Sequence, residues 1–171
     1  MANKKVKIRK MRPSAKVPQK INGNWYDCYV SRISIVRDDR LQQIYNANVF
    51  DLAQPEVTTS PIKYKKGDVL ICGLGFAVEL GKGYESHIIP RSSTFAKKGL
   101  QLTNSVGLID SSYCGDRDEW MAVFYATRPG SIKVGDRLVQ MTIQKTNPPV
   151  EFEEVETLGN EDRGGYGSTG Q

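Results

Sequence analysis

Short runs in which apolar and polar residues alternate recur along most of the chain. Turn-forming segments such as KKGD, GKG, RPG and VGD separate them. Alternation with a period of two is typical of strands that bury one face, and Gly, Pro and Asp are typical of the turns between strands. The strand-like runs are KVKIR, WYDCYV, RISIV, VLICGLGFAVEL, ESHIIP, LQLT, WMAVFYA, RLVQMTIQK and VEFEEVE. This pattern predicts an all-β sandwich or barrel.

Two segments depart from the strand pattern. SSTFAKKG, residues 92–99, favours one or two turns of helix, and residues 36–62 are irregular enough to be an insertion. The 171 residues suffice for one domain with its own core. We therefore expect a β domain over residues 1–159, followed by a glycine-rich, flexible arm over residues 160–171.

The cysteines and apolar runs bear on where the protein works. Cys28, Cys72 and Cys114 are widely spaced and form no CxxC pair, which argues against a disulfide framework or a zinc site. The charged start is not followed by the apolar segment of a signal peptide, and the apolar run at 69–78 is too short to span a membrane. We expect a cytoplasmic protein with no membrane partner.

The formal net charge of +5 is concentrated at the start of the chain. Residues 1–20 carry eight Lys or Arg and no carboxylate, which leaves 16 basic and 19 acidic side chains in the remainder. The body of the protein is therefore not a basic surface, and this argues against nucleic acid as a partner. A basic N-terminal arm that touches nucleic acid is the weaker alternative.

The segment IIPRSSTFAKKGL, residues 88–100, places Arg91, Ser92 and Ser93 where a strand meets the start of a helix. A guanidinium fork, hydroxyl groups and backbone N–H groups can together bind a phosphate. The alternative is an ordinary helix N-cap beside a surface arginine. These residues alone do not decide between the two.

The segment LTNSVGLIDSSYCGD, residues 102–116, carries a carboxylate at the end of an apolar run. Asp110 is placed to take a proton from a water molecule, and Tyr113 follows three residues later. The alternative is an aspartate that caps a β-turn, which is the commoner use of Asp in such a position.

Two further segments add phosphate-binding residue types. GDRLVQ, residues 135–140, contains Arg137 and Gln140, and NEDRGGYGSTGQ, residues 160–171, places Arg163 beside glycines and hydroxyls. Arginines dispersed in this way suggest a triphosphate site built without a GxxxxGK[ST] loop, which the chain lacks. His87 is the only histidine and is interpreted as structural, so a Ser-His-Asp triad is not supported.

Four of these segments resemble, in order and spacing, motifs of the trimeric dUTPase family. PRSSTFAKKGL resembles the second motif, TNSVGLIDSSYCG the third, GDRLVQ the fourth and DRGGYGSTG the fifth, so that the resemblance covers residues 64–171. It implies a homotrimer of jelly-roll-like subunits with active sites at the subunit interfaces. The implied activity is Mg²⁺-dependent hydrolysis of dUTP to dUMP and pyrophosphate, by attack of water on the α-phosphorus.

The resemblance also implies a role for each motif residue. Asp110 would be the general base, Tyr113 would pack on the deoxyribose and leave no room for a 2′-hydroxyl, and Tyr166 would stack on uracil. The uracil edge would be read by Asn104 and by the backbone around Gly107 and Ile109. The residues that would hold the phosphates are Arg91, Ser92, Ser93, Gln140, Arg163, Gly167, Ser168 and Thr169. Arg137 would support this arrangement structurally.

The first motif of the family has two candidates in this chain. GNWYDCYV places Asp27 after an aromatic pair, and NVFDLAQ places Asp51 in a closer Asp-Leu match. Both lack the usual glycine. We favour Asp27 as the residue that acts on Mg²⁺ through water, which makes residues 31–62 an insertion. Asp51 is the alternative.

Two other functions remain as alternatives. The related dCTP deaminases share the fold but use a glutamate base and lack the spacing from Asp110 to Tyr113. The insertion and the style of the tail are also typical of phage members of the family, some of which act as signalling proteins, so a regulatory protein partner is a second alternative.

Overall fold

The computed structural model of this chain describes residues 4–37 and 60–164. These residues form twelve strands and one short helix. In chain order they are β1 (Lys7–Lys10), β2 (Tyr26–Cys28), β3 (Arg32–Val36), β4 (Ile62–Tyr64), β5 (Val69–Gly73), β6 (Phe76–Glu79), β7 (Tyr84–Pro90), α1 (Ser92–Lys98), β8 (Leu100–Leu102), β9 (Gly107–Ile109), β10 (Met121–Ala126), β11 (Gly130–Ile132) and β12 (Val139–Lys145).

The strands form two four-stranded sheets and two strand pairs. The large sheets have the orders β3-β5-β10-β8 and β2-β12-β7-β9, and the pairs are β1-β6 and β11-β4. Every pairing is antiparallel. The predicted all-β architecture is therefore confirmed.

The main core draws side chains from both large sheets. Leu70 of β5 and Phe124 of β10 come from one sheet, and Ile88 of β7 and Met141 of β12 come from the other. Alternate residues are the buried ones in β7 and β10, as the period of two predicts. The two sheets therefore face each other as the layers of a sandwich.

A second apolar cluster lies apart from the main core. It contains the buried residues Val36, Val69 and Ile71, with Met121 and Val123 packed against them. Because Leu70 belongs to the main core, β5 is buried on both faces. This burial explains why its sequence, VLICG, is continuously apolar instead of alternating.

The structure differs from the sequence prediction in two segments. Arg32–Val36, the predicted strand-like run RISIV, forms β3 and pairs along its length with β5, although it lies within the predicted insertion 31–62. Ile62–Tyr64, at the other end of that range, forms β4. The second segment is VEFEEVE, residues 150–156. It was predicted as a strand, but it forms none and is exposed throughout. Its apolar side chains Val150 (69% exposed) and Phe152 (93% exposed) have no core to enter in the described part of one chain.

The helix occupies the place that the sequence predicts. Its last residue is Lys98, and Gly99 caps it. The φ of Gly99 is 66°, which is favourable for glycine, and its N–H donates to the carbonyl of Phe95. The Tyr64 hydroxyl donates to the Lys98 carbonyl at 2.7 Å and holds the last turn. Within the described ranges, no helix is long and apolar enough to cross a membrane.

Candidate functional site

The junction between β7 and α1 leaves the Arg91 side chain available to a distant partner. Arg91 occupies the N-cap position of α1, but its side chain makes no capping bond. Its backbone N–H donates to the Leu138 carbonyl at 3.0 Å, and the Thr94 hydroxyl donates to the same carbonyl at 2.7 Å. These two bonds attach the junction to the residues just before β12.

Asp27 lies between two guanidinium groups. Its Oδ1 is 2.7 Å from Nε of Arg91, and its Oδ2 is 2.9 Å from Nη1 of Arg137. Asp27 is only 7% exposed, but the side chains of Arg91 and Arg137 are 28% and 36% exposed, so water screens these pairs in part. One carboxylate against two guanidinium groups leaves one positive charge, and the cluster is therefore suited to bind an anion.

This charged cluster lines a cavity of about 340 Å³. Gln140 joins Asp27, Arg91 and Arg137 in its wall, and residues 21–25 form the other side. The pairing of β12 with its two neighbouring strands places Gln140 there, because Gln140 lies opposite Asp27 on β2 and opposite Ile89 on β7. The structure thus brings together residues predicted from three separate motifs.

A second cavity of about 250 Å³ shares Arg91 and Arg137 with the first. Ser93, Lys97 and Lys98 also line it, while Ser92 is exposed at the start of α1. Lys98 is held by the Ser131 carbonyl at 2.8 Å and by Asp136 at 3.3 Å. The surface beside the arginines is therefore also positively charged.

The segment 104–113, named here the hairpin, carries the predicted uracil-reading residues; it runs from β8 in one sheet to β9 in the other and beyond. Asn104 is exposed at its tip, and the next residue, Ser105, has a φ of 58°, a left-handed conformation that is uncommon outside glycine. Gly107 faces β7 closely, because a Cβ there would lie 3.3 Å from Cβ of Ile88 and 3.9 Å from Nδ2 of Asn104. Ile109, at the end of β9, is half-buried against the core.

Asp110 follows β9 and accepts two bonds from one residue. The Ser112 backbone N–H donates to its Oδ1 at 2.7 Å and the Ser112 hydroxyl donates to the same oxygen at 2.5 Å. These bonds, the hydroxyl first, lower the pKa of the Asp110 carboxyl below its ordinary value. The turn-capping geometry considered from the sequence is thus present, and the exposed carboxylate is held ionised.

Tyr113 is held against the domain by its hydroxyl group. The hydroxyl donates to the Glu119 carbonyl at 3.2 Å, and the half-buried ring packs against the main core. Burial raises the pKa of Tyr113, so the hydroxyl stays protonated as a donor at neutral pH. Asp110 and Tyr113 are joined by a longer backbone contact, since the Tyr113 N–H lies 3.4 Å from the Asp110 carbonyl.

The hairpin and the arginine cluster lie in different places on one chain. In the sheet order β2-β12-β7-β9, two strands separate Asp27 from β9, and adjacent strands are about 4.8 Å apart. Asp110 also lies beyond the end of β9 that pairs with Ser86, whereas Gln140 lies opposite Ile89. Of the described residues, those of the hairpin 104–113 do not line the arginine cavity.

The segment after β12 is exposed along its described length, residues 146–164, which includes the first residues of the predicted arm 160–171. Arg163 is exposed within it. Tyr166, Gly167, Ser168 and Thr169 lie outside the described residues, as does Asp51, the alternative first-motif carboxylate. Within residues 4–37 and 60–164, no group of three or more His, Cys, Asp or Glu is arranged to hold a metal ion.

A comparison with protein families accounts for this arrangement. The dUTPase family model matches residues 41–170, about three quarters of the chain. The chain belongs to the dUTPase family. This dUTPase is 45% identical over 131 residues to the SPbeta prophage-derived deoxyuridine 5'-triphosphate nucleotidohydrolase of Bacillus subtilis (strain 168), a match that covers 77% of this chain and 89% of that relative.

More distant relatives extend the likeness along the whole chain. The deoxyuridine 5'-triphosphate nucleotidohydrolase of Heliobacterium modesticaldum is 28% identical over 175 residues, covering 97% of this dUTPase and 96% of that protein. A mutant dUTPase of Staphylococcus bacteriophage 80alpha, solved with dUpNHpp, has a TM-score of 0.68 and 16% identity, with 99% of this chain and 100% of that chain covered. The shared fold confirms the predicted dUTPase-like architecture.

The sequence did not single out the loop at residues 21–25 or the partner of Arg137. The loop INGNW carries a Gly-Asn turn signal between strands, which marks a turn but not a cavity wall. The pairing of Arg137 with Asp27 depends on strand register across 110 residues, which no local pattern reveals.

Proposed function

We propose that this dUTPase works at sites shared between subunits, where the arginine cluster of one chain faces the hairpin of another. The observation that carries the proposal is the separation, within one chain, of Asp27 and its arginines from Asp110 and Tyr113. The activity itself follows from the family, whose members hydrolyse dUTP to dUMP and pyrophosphate. Homotrimers are expected for this family.

In the proposed site the arginine cluster binds the triphosphate. Arg91, fixed by Asp27, presents a guanidinium fork to phosphate oxygens, and Gln140 adds an amide donor in the same wall. Ser92 and Ser93 donate hydroxyls from the first turn of α1, beside the same arginine. Fixed donors of this kind neutralise the charge that develops on the phosphates during phosphoryl transfer.

Magnesium would need oxygens of the bound phosphates as its main ligands, because the arginine cluster is itself positively charged. dUTPases are Mg²⁺-dependent, and one phage phi11 dUTPase of S. aureus is described as coordinating a structural Mg(II) ion. Asp27 is the one carboxylate among the described residues of the cavity wall, and both of its oxygens accept bonds from arginine. Asp27 would therefore reach Mg²⁺ only through water, on an ion that the phosphates hold, in keeping with the waters that Mg²⁺ retains. Bound there, the ion supplies positive charge to the phosphates.

Asp110 is the proposed general base. The Ser112 bonds fix the orientation of its carboxylate and keep it ionised, so it accepts a proton from the water that attacks the α-phosphorus. Because its pKa is low, its contribution lies mainly in orienting that water. A general base of this type contributes about 10²–10⁴-fold to the rate.

The hairpin is proposed to select uracil and deoxyribose. Asn104 and the backbone near Gly107 and Ile109 read the uracil edge, where the methyl group of thymine would not fit. Tyr113 packs on the sugar and excludes a 2′-hydroxyl. Selection by hydrogen bonding and close contact is strong because an unmatched substrate leaves buried polar groups unpaired.

The arm is proposed to close over the bound nucleotide. Arg163 would contact the γ-phosphate, Tyr166 would stack on uracil, and Gly167, Ser168 and Thr169 would surround the phosphates. The arm is exposed where it is described, and such a segment gains order only when substrate provides contacts. All three cysteines are free thiols, which suits the reducing cytoplasm where we place the enzyme.

The experiment that tests the activity is a nucleotide panel. Purified protein with Mg²⁺ is incubated separately with dUTP, dTTP, dCTP and UTP, and pyrophosphate and ammonia are measured. We expect rapid pyrophosphate release from dUTP alone. Ammonia release from dCTP would instead identify a deaminase, and equal turnover of dTTP or UTP would contradict the proposed selectivity.

A regulatory role is a second candidate. The dUTPase of Staphylococcus bacteriophage 80alpha is described as controlling the transfer of virulence genes by a proto-oncogenic G protein-like mechanism. In this chain, residues 37–61 lie between β3 and β4 and are the proposed contact for a protein partner. Replacing residues 38–59 with a short glycine linker should leave dUTP hydrolysis intact. Loss of turnover would instead point to Asp51 as the first-motif carboxylate.

A further inference from the structure

A buried ion cluster lies behind Tyr113, and none of the roles above uses it. Its centre is Glu119, whose side chain is 2% exposed. The Glu119 carboxylate accepts a bond from Nε of Arg32 at 2.7 Å, from Nη2 of Arg12 at 3.1 Å and from the backbone N–H of Gly75 at 2.9 Å. A buried carboxylate with three donors, two of them charged, is held firmly in one position.

The three donors come from separate parts of the chain. Arg12 follows β1, Arg32 begins β3, and Gly75 lies between β5 and β6. There is little free space around the cluster, since a Cβ at Gly73 would lie 2.5 Å from Oε1 of Glu119. The cluster therefore fixes the backbone at position 119 relative to three other segments.

The backbone of Glu119 in turn holds Tyr113. The Tyr113 hydroxyl donates to the Glu119 carbonyl at 3.2 Å. The loop between these residues is closed on itself, because the Gly115 N–H donates to the Asp118 carboxylate at 2.6 Å and the Asp118 N–H donates to the Gly115 carbonyl at 3.1 Å. The ring of Tyr113 thus has one end in the hairpin and the other tied to the ion cluster.

We propose that Glu119 is a positioning residue for the selection of deoxyribonucleotides over ribonucleotides. Its buried carboxylate fixes the carbonyl that holds the Tyr113 hydroxyl, and this fixes the ring against which the sugar packs. A ring free to tilt leaves room for a 2′-hydroxyl. The inference rests on the proposed role of Tyr113, and the experiment below separates the failure of one from the failure of the other.

The test measures kcat/KM for dUTP and for UTP in four variants: Tyr113→Phe, Glu119→Gln, the combination of these two, and Tyr113→Ala. Tyr113→Phe removes the hydroxyl and keeps the ring, and we expect it to lower the dUTP-to-UTP ratio about three- to tenfold, since one hydrogen bond is lost. The change should come from a higher KM for dUTP and faster turnover of UTP, with kcat for dUTP little altered. Glu119→Gln should change the ratio in the same direction, and the double variant should be no lower than the lower single variant.

A matched control is available elsewhere in the fold. The Tyr64 hydroxyl also donates to a backbone carbonyl, that of Lys98 at 2.7 Å, and Tyr64 is 3% exposed. Tyr64→Phe therefore removes the same kind of bond without touching the hairpin. Its dUTP-to-UTP ratio should equal that of the wild type even if its melting temperature falls.

The outcomes separate the two proposals. If Tyr113→Ala lowers the dUTP-to-UTP ratio of kcat/KM but Tyr113→Phe or Glu119→Gln leaves it at the wild-type value, Tyr113 selects the sugar without Glu119. The inference is then overturned. If Tyr113→Ala also keeps the ratio, the role of Tyr113 itself is wrong. Should Glu119→Gln not fold, Arg32→Lys retains the charge but removes the Nε donor. A lower ratio in that variant supports the inference, and a wild-type ratio overturns it.

Discussion

Arg137 donates from Nη1 to Oδ2 of Asp27 at 2.9 Å, although 110 residues separate them in the chain. The register of β2 against β12 places Asp27 opposite Gln140, three residues after Arg137. Arg91 approaches the other carboxylate oxygen from the end of β7. The proposed phosphate site is therefore assembled by strand pairing, and its charge depends on one aspartate.

Asp27→Asn should weaken substrate binding. The amide keeps the shape of the carboxylate but lacks its charge, so the guanidinium groups of Arg91 and Arg137 lose their fixed orientation. Bonds to charged groups are worth about 1.5–3 kcal/mol, and we expect the KM for dUTP to rise at least about tenfold. Steady-state kinetics with pyrophosphate detection measures this change.

Lys7→Gln is the control for that variant. It also removes one charge from an ion pair, but the pair of Lys7 with Glu79 is largely exposed, with side-chain exposures of 83% and 52%. Such pairs contribute little, so KM should be unchanged. A wild-type KM in Asp27→Asn would show that Asp27 does not organise the arginines.

Asp110→Asn should remove the general base but leave binding. The variant is expected to fold, to bind dUpNHpp with an affinity near that of the wild type, and to hydrolyse dUTP at least about 10²-fold more slowly. Calorimetry with the analogue and single-turnover kinetics measure the two effects. Near-native turnover would exclude Asp110 from this role.

Ser112→Ala should shift the acid limb of the pH profile. The Ser112 hydroxyl is the largest cause of the lowered pKa of Asp110, so its removal raises that pKa towards the ordinary value. The active form is the ionised carboxylate, and kcat/KM should therefore begin to fall at a higher pH than in the wild type. Turnover at neutral pH should change little. If the acid limb does not move, ionisation of Asp110 does not control the loss of activity at low pH.

Truncation after Asn160 should separate folding from turnover. The described arm residues are exposed, so their removal should not alter the melting temperature or the mass of the assembly. Turnover of dUTP should fall sharply, because Arg163 and the residues after it no longer close over the nucleotide. A truncated protein as active as the full chain would show that the arm has no part in catalysis.

The strands that bury one face could be predicted from sequence, because alternation directly records which side faces the core. Arg32–Val36 was also recognisable as the strand-like run RISIV, but its pairing with β5, 33 residues or more away, left no local signal, and the segment was placed within an insertion. VEFEEVE shows the opposite case. It alternates like a strand, but one chain offers no neighbouring strand to pair with it.

Some residues of the candidate site could likewise be predicted from the sequence, and others could not. Arg91, Asp110 and Gln140 stand in short motifs whose residue types suggest phosphate or proton chemistry, so sequence alone could propose them. Glu119 stands in no such motif. Its place at the centre of a buried cluster depends on Arg12 and Arg32, each of them at least 87 residues away. Long-range polar contacts of this kind become visible only in the fold.

The separation of the arginine cluster from the hairpin means that damage to one half can be complemented by another chain. A chain with Asp27→Asn retains a sound hairpin, and a chain with Asp110→Asn retains a sound phosphate half. When the two impaired proteins are unfolded together and reassembled in equal amounts, about a quarter of the sites should combine two sound halves and regain wild-type kinetics. Such recovery would show that the functional unit of the proposed site is the boundary between chains, so that two defective genes together make one working catalyst.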